Sequence, residues 1–266
     1  MQSKFTDMFP LIREAVRFPS VRLSLLGIVL TTLPAVWLQR NLAEDLVDMA
    51  RAREVARVER MVAALRSELR RGEVSVTRLA ALVGSVAGPG EGESLRRDLE
   101  TRPDGVLRLR QVDATREAAV WFPASALLTD ETADLVQHAR AVVGVFGQGA
   151  LGAPLVNSWF LPLAGGEGGF FPPDPGFVDA VTPTLDYRNT PWVQLANPAA
   201  NPEGRPRWTP LNYDPAAQAW MVSVVAPVRV ADRWVGSVGH DILLGSLLTS
   251  MSVLAADSSD ARIVWV

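Results

Sequence analysis

Hydrophobic and polar positions divide the chain into an uncharged apolar run, a long helical stretch and a region of short strands. Residues 23–38, LSLLGIVLTTLPAVWL, carry no charge, and Arg22 and Arg40 flank them. Arginines that can snorkel, and Trp37 at the interface, make this run a predicted membrane-spanning helix over residues 23–39. A signal-peptide core or a buried helix gives a similar run, but Pro34 and the lack of a small-residue cleavage site before Arg40 favour an uncleaved anchor. From Asn41 to Arg71, Leu42, Leu46, Met49, Val55, Val58, Val62, Leu65 and Leu69 recur mostly at threes and fours. That period predicts one long amphipathic helix over residues 40–72, ended by Gly72. Its narrow stripe suits a coiled-coil seam between two copies or packing on the chain's own domain, and periodicity leaves both open.

Beyond it, Val76–Val86 and Ser94–Glu100 are expected as short helices around GPGEG. VLRLRQVD (106–113) alternates like a half-buried strand, with AAVWFPA as its partner. Thr129–Val143 is expected as a helix with Thr129 or Asp130 as N-cap and His138 at its surface or boundary. After Gly149 prolines, glycines and tryptophans crowd in. NSWFLPLAGGEGGFFPP (157–173) predicts a hairpin with a Gly-rich turn, and no lysine or helix start follows to make it a phosphate loop. RWTPLNYD, AWMVSVVAPVRV and RWVGSVGHDI predict three consecutive antiparallel strands joined by short turns. A helix follows over Ile242–Leu254, and ARIVWV opens a strand without a partner after it. Helices followed by an antiparallel meander make an α+β domain, here residues 73–255. The lone final strand leads to the expectation that residues 256–266 begin a truncated second subdomain, with a second membrane helix and an output module beyond it.

Composition narrows the function classes. A net charge of −3 and a pI near 5.5 supply no basic field, so nucleic acid is not an expected partner. With no cysteine there is no thiol chemistry or Cys-ligated zinc, and two histidines about a hundred residues apart argue against a His metal site. No cofactor is expected. Lys4, Arg13, Arg17 and Arg22 precede the apolar run, while Glu44, Asp45 and Asp48 follow it. This bias predicts a bacterial inner-membrane protein with residues 1–22 cytoplasmic and 40–266 periplasmic. His240 and Asp241 are adjacent in a predicted strand and so point to opposite faces, and no Gly-x-Ser-x-Gly elbow is present. Catalysis by this chain is not expected.

In order, the spanning run, the long helix, DYRNTPWVQLA, TPLNYDPAAQAWMVSVVAPV and VGSVGHDILLGSLL resemble the membrane-distal half of double Cache (PAS-like) sensor domains. These occur in bacterial histidine kinases, diguanylate cyclases and chemoreceptors. The resemblance spans residues 23–266 and is specific over 157–254. It implies a PAS-like sheet flanked by helices and a ligand pocket beside it. Amino-acid-binding members carry a tyrosine, then Arg-x-Trp-Tyr, a second tyrosine and an aspartate ending the last strand. Trp192 and Asp241 match. Leu185 and Val193 stand at the first and third aromatic positions, Thr190 at the arginine and Asn212 at the second tyrosine. Without that bidentate guanidinium an α-amino acid ligand is not expected.

Asp241 is the leading candidate, as anchor for a ligand ammonium or as N-cap of the following helix. Trp192 offers a flat wall, and one of Asn212 and Tyr213 is expected to face the pocket. Asp214 reads first as a turn residue and Arg188 as a loop arginine able to meet a carboxylate from another angle. Trp159, Trp208 and Trp220 read as core or rim. The expected function is extracytoplasmic sensing of an amine or other small solute by a homodimeric receptor. The alternative is a membrane-anchored interaction or assembly module that binds a protein partner.

Overall fold

The structure is a computed structural model, in which residues 19–85, 90–152, 155–214 and 218–255 are described. The expected tail strand at 256–266 and residues 1–18 of the expected cytoplasmic tail lie outside the described residues.

The chain divides into two compact units, residues 1–60 and residues 61–266. Helix α1 (Pro19–Val83) carries residues of both. In the first unit it is exposed along almost its whole length. Among the described residues no helix is long and apolar enough to cross a membrane, so the span expected over 23–39 is not found there. The uncharged run is short against the roughly 20 residues a bilayer requires. It also contains Thr31 and Thr32, whose hydroxyls bond back to the carbonyls of Gly27 and Ile28.

Helix α1 passes through Gly72, where the sequence predicts a stop, and absorbs the separate helix expected from Val76. The reason is local packing: a Cβ at Gly72 would sit 3.3 Å from the Trp208 ring, and Trp208 Nε1 donates to Glu73 Oε1 at 3.0 Å. An interior glycine costs a helix about 1 kcal/mol against alanine, and this close approach offsets it.

The second unit is α+β, as the sequence predicts. After α2 (Gly92–Asp98) come β1 (Leu99–Thr101), β2 (Leu107–Leu109), β3 (Ala119–Phe122) and α3 (Asp130–Ala150). Then follow β4 (Ser158–Pro162), β5 (Glu167–Phe171), α4 (Pro175–Ala180), a 3-10 turn (Tyr187–Asn189) and α5 (Pro191–Gln194). The chain continues through β6 (Arg207–Trp208), β7 (Asn212–Asp214), β8 (Ala219–Val230), β9 (Arg233–Leu243) and α6 (Leu244–Ala255). The strands form one antiparallel sheet in the order β1-β2-β3-β5-β4-β9-β8-β6, with β7 also paired to β8. RWTPLNYD makes two short strands because Pro210, lacking an N–H, interrupts the ladder. Thr129 caps α3, its hydroxyl accepting from Thr132 N at 3.2 Å, and Asp130 and Glu131 complement the helix dipole. The β4–β5 turn needs Gly165 and Gly166 at φ 89° and 74°.

The two sheet faces bury different partners. Val76, Leu79 and Val83 of α1 and Val136, Ala139 and Val143 of α3 pack with Phe160, Val224 and Val238 on one face. On the other, Trp159, Leu161 and Val225 meet Tyr187, Trp192 and Val193 from the segment between β5 and β6. That segment covers the sheet with only short helical turns, α4, the 3-10 turn and α5, and the candidate site lies beneath it.

Candidate ligand-binding site

Strand alternation sends His240 and Asp241 to opposite faces. His240 points to the helix side, fully buried, with Nε2 3.0 Å from Ser75 Oγ of α1 and Nδ1 2.9 Å from Ser158 Oγ and 3.1 Å from Asn157 O. Burial pushes its pKa from 6.5 down to about 4, so the imidazole is neutral.

Asp241 points to the other face. It lies inside β9, three residues before α6 begins, which corrects the expectation that it caps that helix: the strand runs on through Leu243, paired with Met221. Its Oδ1 accepts from Ser223 Oγ at 2.5 Å and Trp159 Nε1 at 3.1 Å, and Oδ2 accepts from Asn157 Nδ2 at 2.6 Å. Asn157 Oδ1 in turn accepts the Asp241 backbone N–H at 3.0 Å. Ser223 stands opposite Asp241 in the β8–β9 register and takes a hydrogen bond from Trp192 Nε1 at 2.9 Å. Burial still raises the carboxyl pKa, because the neutral donors only partly replace lost hydration.

A second buried carboxyl, Glu167, enters from β5. Two steps of β3, from Ala119 to Trp121, span the three steps from Phe170 to Glu167, so β5 carries a bulge. The bulge residues are Gly168 and Gly169, and added Cβ atoms would meet Phe160 at 2.7 Å and Val143 at 3.3 Å. The bulge places Glu167 and Phe170 at the same cavity. Glu167 is 3% exposed, and its Oε2 accepts from Trp121 Nε1 at 2.9 Å. Burial, reinforced by the charge of Asp241, pushes its pKa from 4.5 up to about 8.

These groups line a cavity of about 270 Å³. Its apolar walls include Trp159, Leu161, Phe170, Phe177, Tyr187 and Trp192, and Tyr187 meets Trp192 edge to face at 5.8 Å. Asp174 and Asp214 also line it; Asp174 caps α4 by accepting from Gly176 N and Phe177 N. Among the described residues no lysine, arginine or histidine lines the cavity. Four acids, aromatic faces and no basic side chain suit an organic cation. Among the described residues no group of three or more His, Cys, Asp or Glu could hold a metal ion.

Of the residues singled out by sequence, Asp241, Trp192, Tyr213 and Asp214 line the cavity, while Arg188, Thr190 and Asn212 are not among its described lining. The Arg188 guanidinium is engaged by Asp186, with Nη2 2.7 Å from Oδ2. Thr190 Oγ1 donates to Tyr187 O at 2.6 Å, and Asn212 pairs with Met221 at the start of β7. Sequence reasoning passed over Glu167, Asn157 and Tyr187, and placed Trp159 in the core or rim. One signal was available: GGEGG puts a carboxylate in the middle of an otherwise apolar hairpin.

No protein-family model and no curated protein matches the chain. Among solved structures it is similar to the ligand-binding domain of the Pseudomonas aeruginosa amino acid chemoreceptor PctC in complex with GABA. The identity is 15% over 72% of this chain and 62% of that one, with a TM-score of 0.41. It is similar to the sensory domain of the Campylobacter jejuni chemoreceptor Tlp3 with isoleucine bound, at 13% identity over 72% and 66% of the two chains and a TM-score of 0.35. The ligand-binding domain of the Pseudomonas fluorescens chemoreceptor CtaA in complex with L-valine matches at 23% identity over 43% and 48%, with a TM-score of 0.34. The chain spans less than two thirds of the length of each. All three are sensory or ligand-binding domains of bacterial chemoreceptors.

Proposed function

We propose that the chain is the extracytoplasmic small-molecule-sensing part of a bacterial receptor, and that its cavity takes a small solute whose ammonium group is held by Asp241. The observation that carries this reading is a buried carboxylate at the floor of an aromatic cavity that no described basic residue lines. Such a carboxylate is costly in an empty site and is relieved by a cation. Anchoring through residues 23–39 belongs to the same proposal, supported by an uncharged run between arginines whose Leu30, Leu33, Val36 and Trp37 are more than half exposed. So does a homodimer formed along the exposed Leu42, Leu46 and Met49 of α1. Occupancy would bias α1 and α6 and thereby a kinase, cyclase or chemotaxis output.

The test is thermal denaturation of the full chain in detergent against amines, amino acids and simple carboxylates. Amines raise Tm, amino acids and carboxylates do not, and Asp241→Ala abolishes the amine shift. Absence of any shift, with a stable protein partner captured instead, would end the sensing reading.

A further inference from the structure

Glu167 accepts from the buried Trp121 Nε1, a task a neutral glutamine could also perform. Its segment has a glycine-built bulge in β5, where regular pairing would have given a stronger ladder, and the bulge delivers a carboxyl to a cavity that already holds Asp241. Between the two acids lies β4, which pairs with β9 on one side and β5 on the other. Two interstrand spacings put the backbones of Asp241 and Glu167 at least about 10 Å apart. Trp159 and Leu161 of β4 and Phe170 of β5 line the cavity between them. The cavity thus has two acidic poles and an apolar middle.

We propose that this cavity holds a short linear diamine, one ammonium at Asp241, the other at Glu167, and the methylenes along the aromatic walls. The proposal rests on the sensing reading and narrows its ligand. A monoamine can neutralise only one of the two carboxylates, and the other must keep a proton because a buried unpaired anion is costly. A diamine allows both to ionise and be paired. Each ammonium donates hydrogen bonds to a carboxylate, and each carboxyl proton displaced leaves to solvent. Asp174, at the N-cap of α4, and Asp214, on β7, also line the cavity and reinforce the preference for positive charge.

The experiment is calorimetric titration of the full chain in detergent with putrescine and with butylamine, in two buffers of different ionisation enthalpy. Putrescine is expected to bind about tenfold or more tighter than butylamine and to release more protons. In Glu167→Gln, which keeps an acceptor for Trp121 Nε1, putrescine should lose its advantage over butylamine. Equal affinities and equal proton release in the unsubstituted chain overturn the proposal without touching the sensing reading. A putrescine preference that survives Glu167→Gln overturns it as well. Failure of both amines removes the sensing reading and this inference together. The proton count requires no variant, so a Glu167→Gln chain that fails to fold does not spare the proposal.

Discussion

Replacing Glu167 by glutamine should make the protein more stable at neutral pH, and by an amount that grows as pH rises. The carboxyl ionises near 4.5 in the unfolded chain and only at about 8 in the folded one. Below pH 4.5 both states carry the proton, and the group's contribution is fully present. As pH rises the unfolded chain releases its proton while the folded chain retains it, so stability falls until the folded carboxyl ionises near 8. Each pH unit in that window costs about 1.4 kcal/mol, which comes to about 3 kcal/mol at pH 7. Glutamine cannot ionise and should remove the slope. Urea denaturation of the full chain in detergent, followed by tryptophan fluorescence from about pH 5 to about pH 8, reads the difference between variant and parent. Comparing the two at each pH cancels most of the titration of Asp241 and His240. A difference that stays flat across the window, or a parent more stable than the variant at pH 8, would refute the reasoning.

Three other substitutions test separate parts of the site. A Cβ at Gly239 would come within 2.1 Å of the Trp159 ring, so Gly239→Ala should cost about 1 to 3 kcal/mol in denaturation and weaken amine binding, because the displaced indole is an Asp241 donor. Arg108 is buried and donates to Val178 O at 2.8 Å and Val181 O at 2.9 Å while pairing with Asp104 at 2.9 Å. Arg108→Ala should cost about 3 kcal/mol or more and lower amine affinity, since this arginine fastens the segment that carries Asp174 and Phe177. His240 is held neutral, so its contribution is present above pH 6.5 and lost as pH falls toward about 4. His240→Gln should flatten the acid limb of the stability curve, which a pH series of midpoints measures.

Elements with strong local signals were legible in the sequence, and those decided by distant packing were not. Thr129 and its acidic first turn announced α3, and the glycines of 165–166 announced the hairpin. Gly72 reads locally as a stop, yet Trp208, far along the chain, closes on it and keeps α1 continuous. Asp241 reads as a cap because apolar periodicity cannot separate the last residues of a buried strand from the first turn of a helix; pairing of Met221 with Leu243 decides it. Of the cavity lining, Asp241 on the last strand was singled out through its motif. The pole at Glu167 was missed because the bulge that aims it arises from a mismatch between β3 and β5, which no single strand's pattern displays.

Positions 240 and 241 are consecutive, yet one side chain is tied to Ser75 of α1 and the other forms the floor of the cavity. The sheet is therefore one peptide unit thick as a mechanical barrier between ligand and helix. Tilting that peptide to bring Asp241 toward a cation turns the imidazole the opposite way, and Ser75 must either follow or lose its hydrogen bond. A substitution on the helix side that frees this tie, Ser75→Ala, is expected to leave affinity intact while loosening α1 from the cavity floor, without altering a single described lining residue.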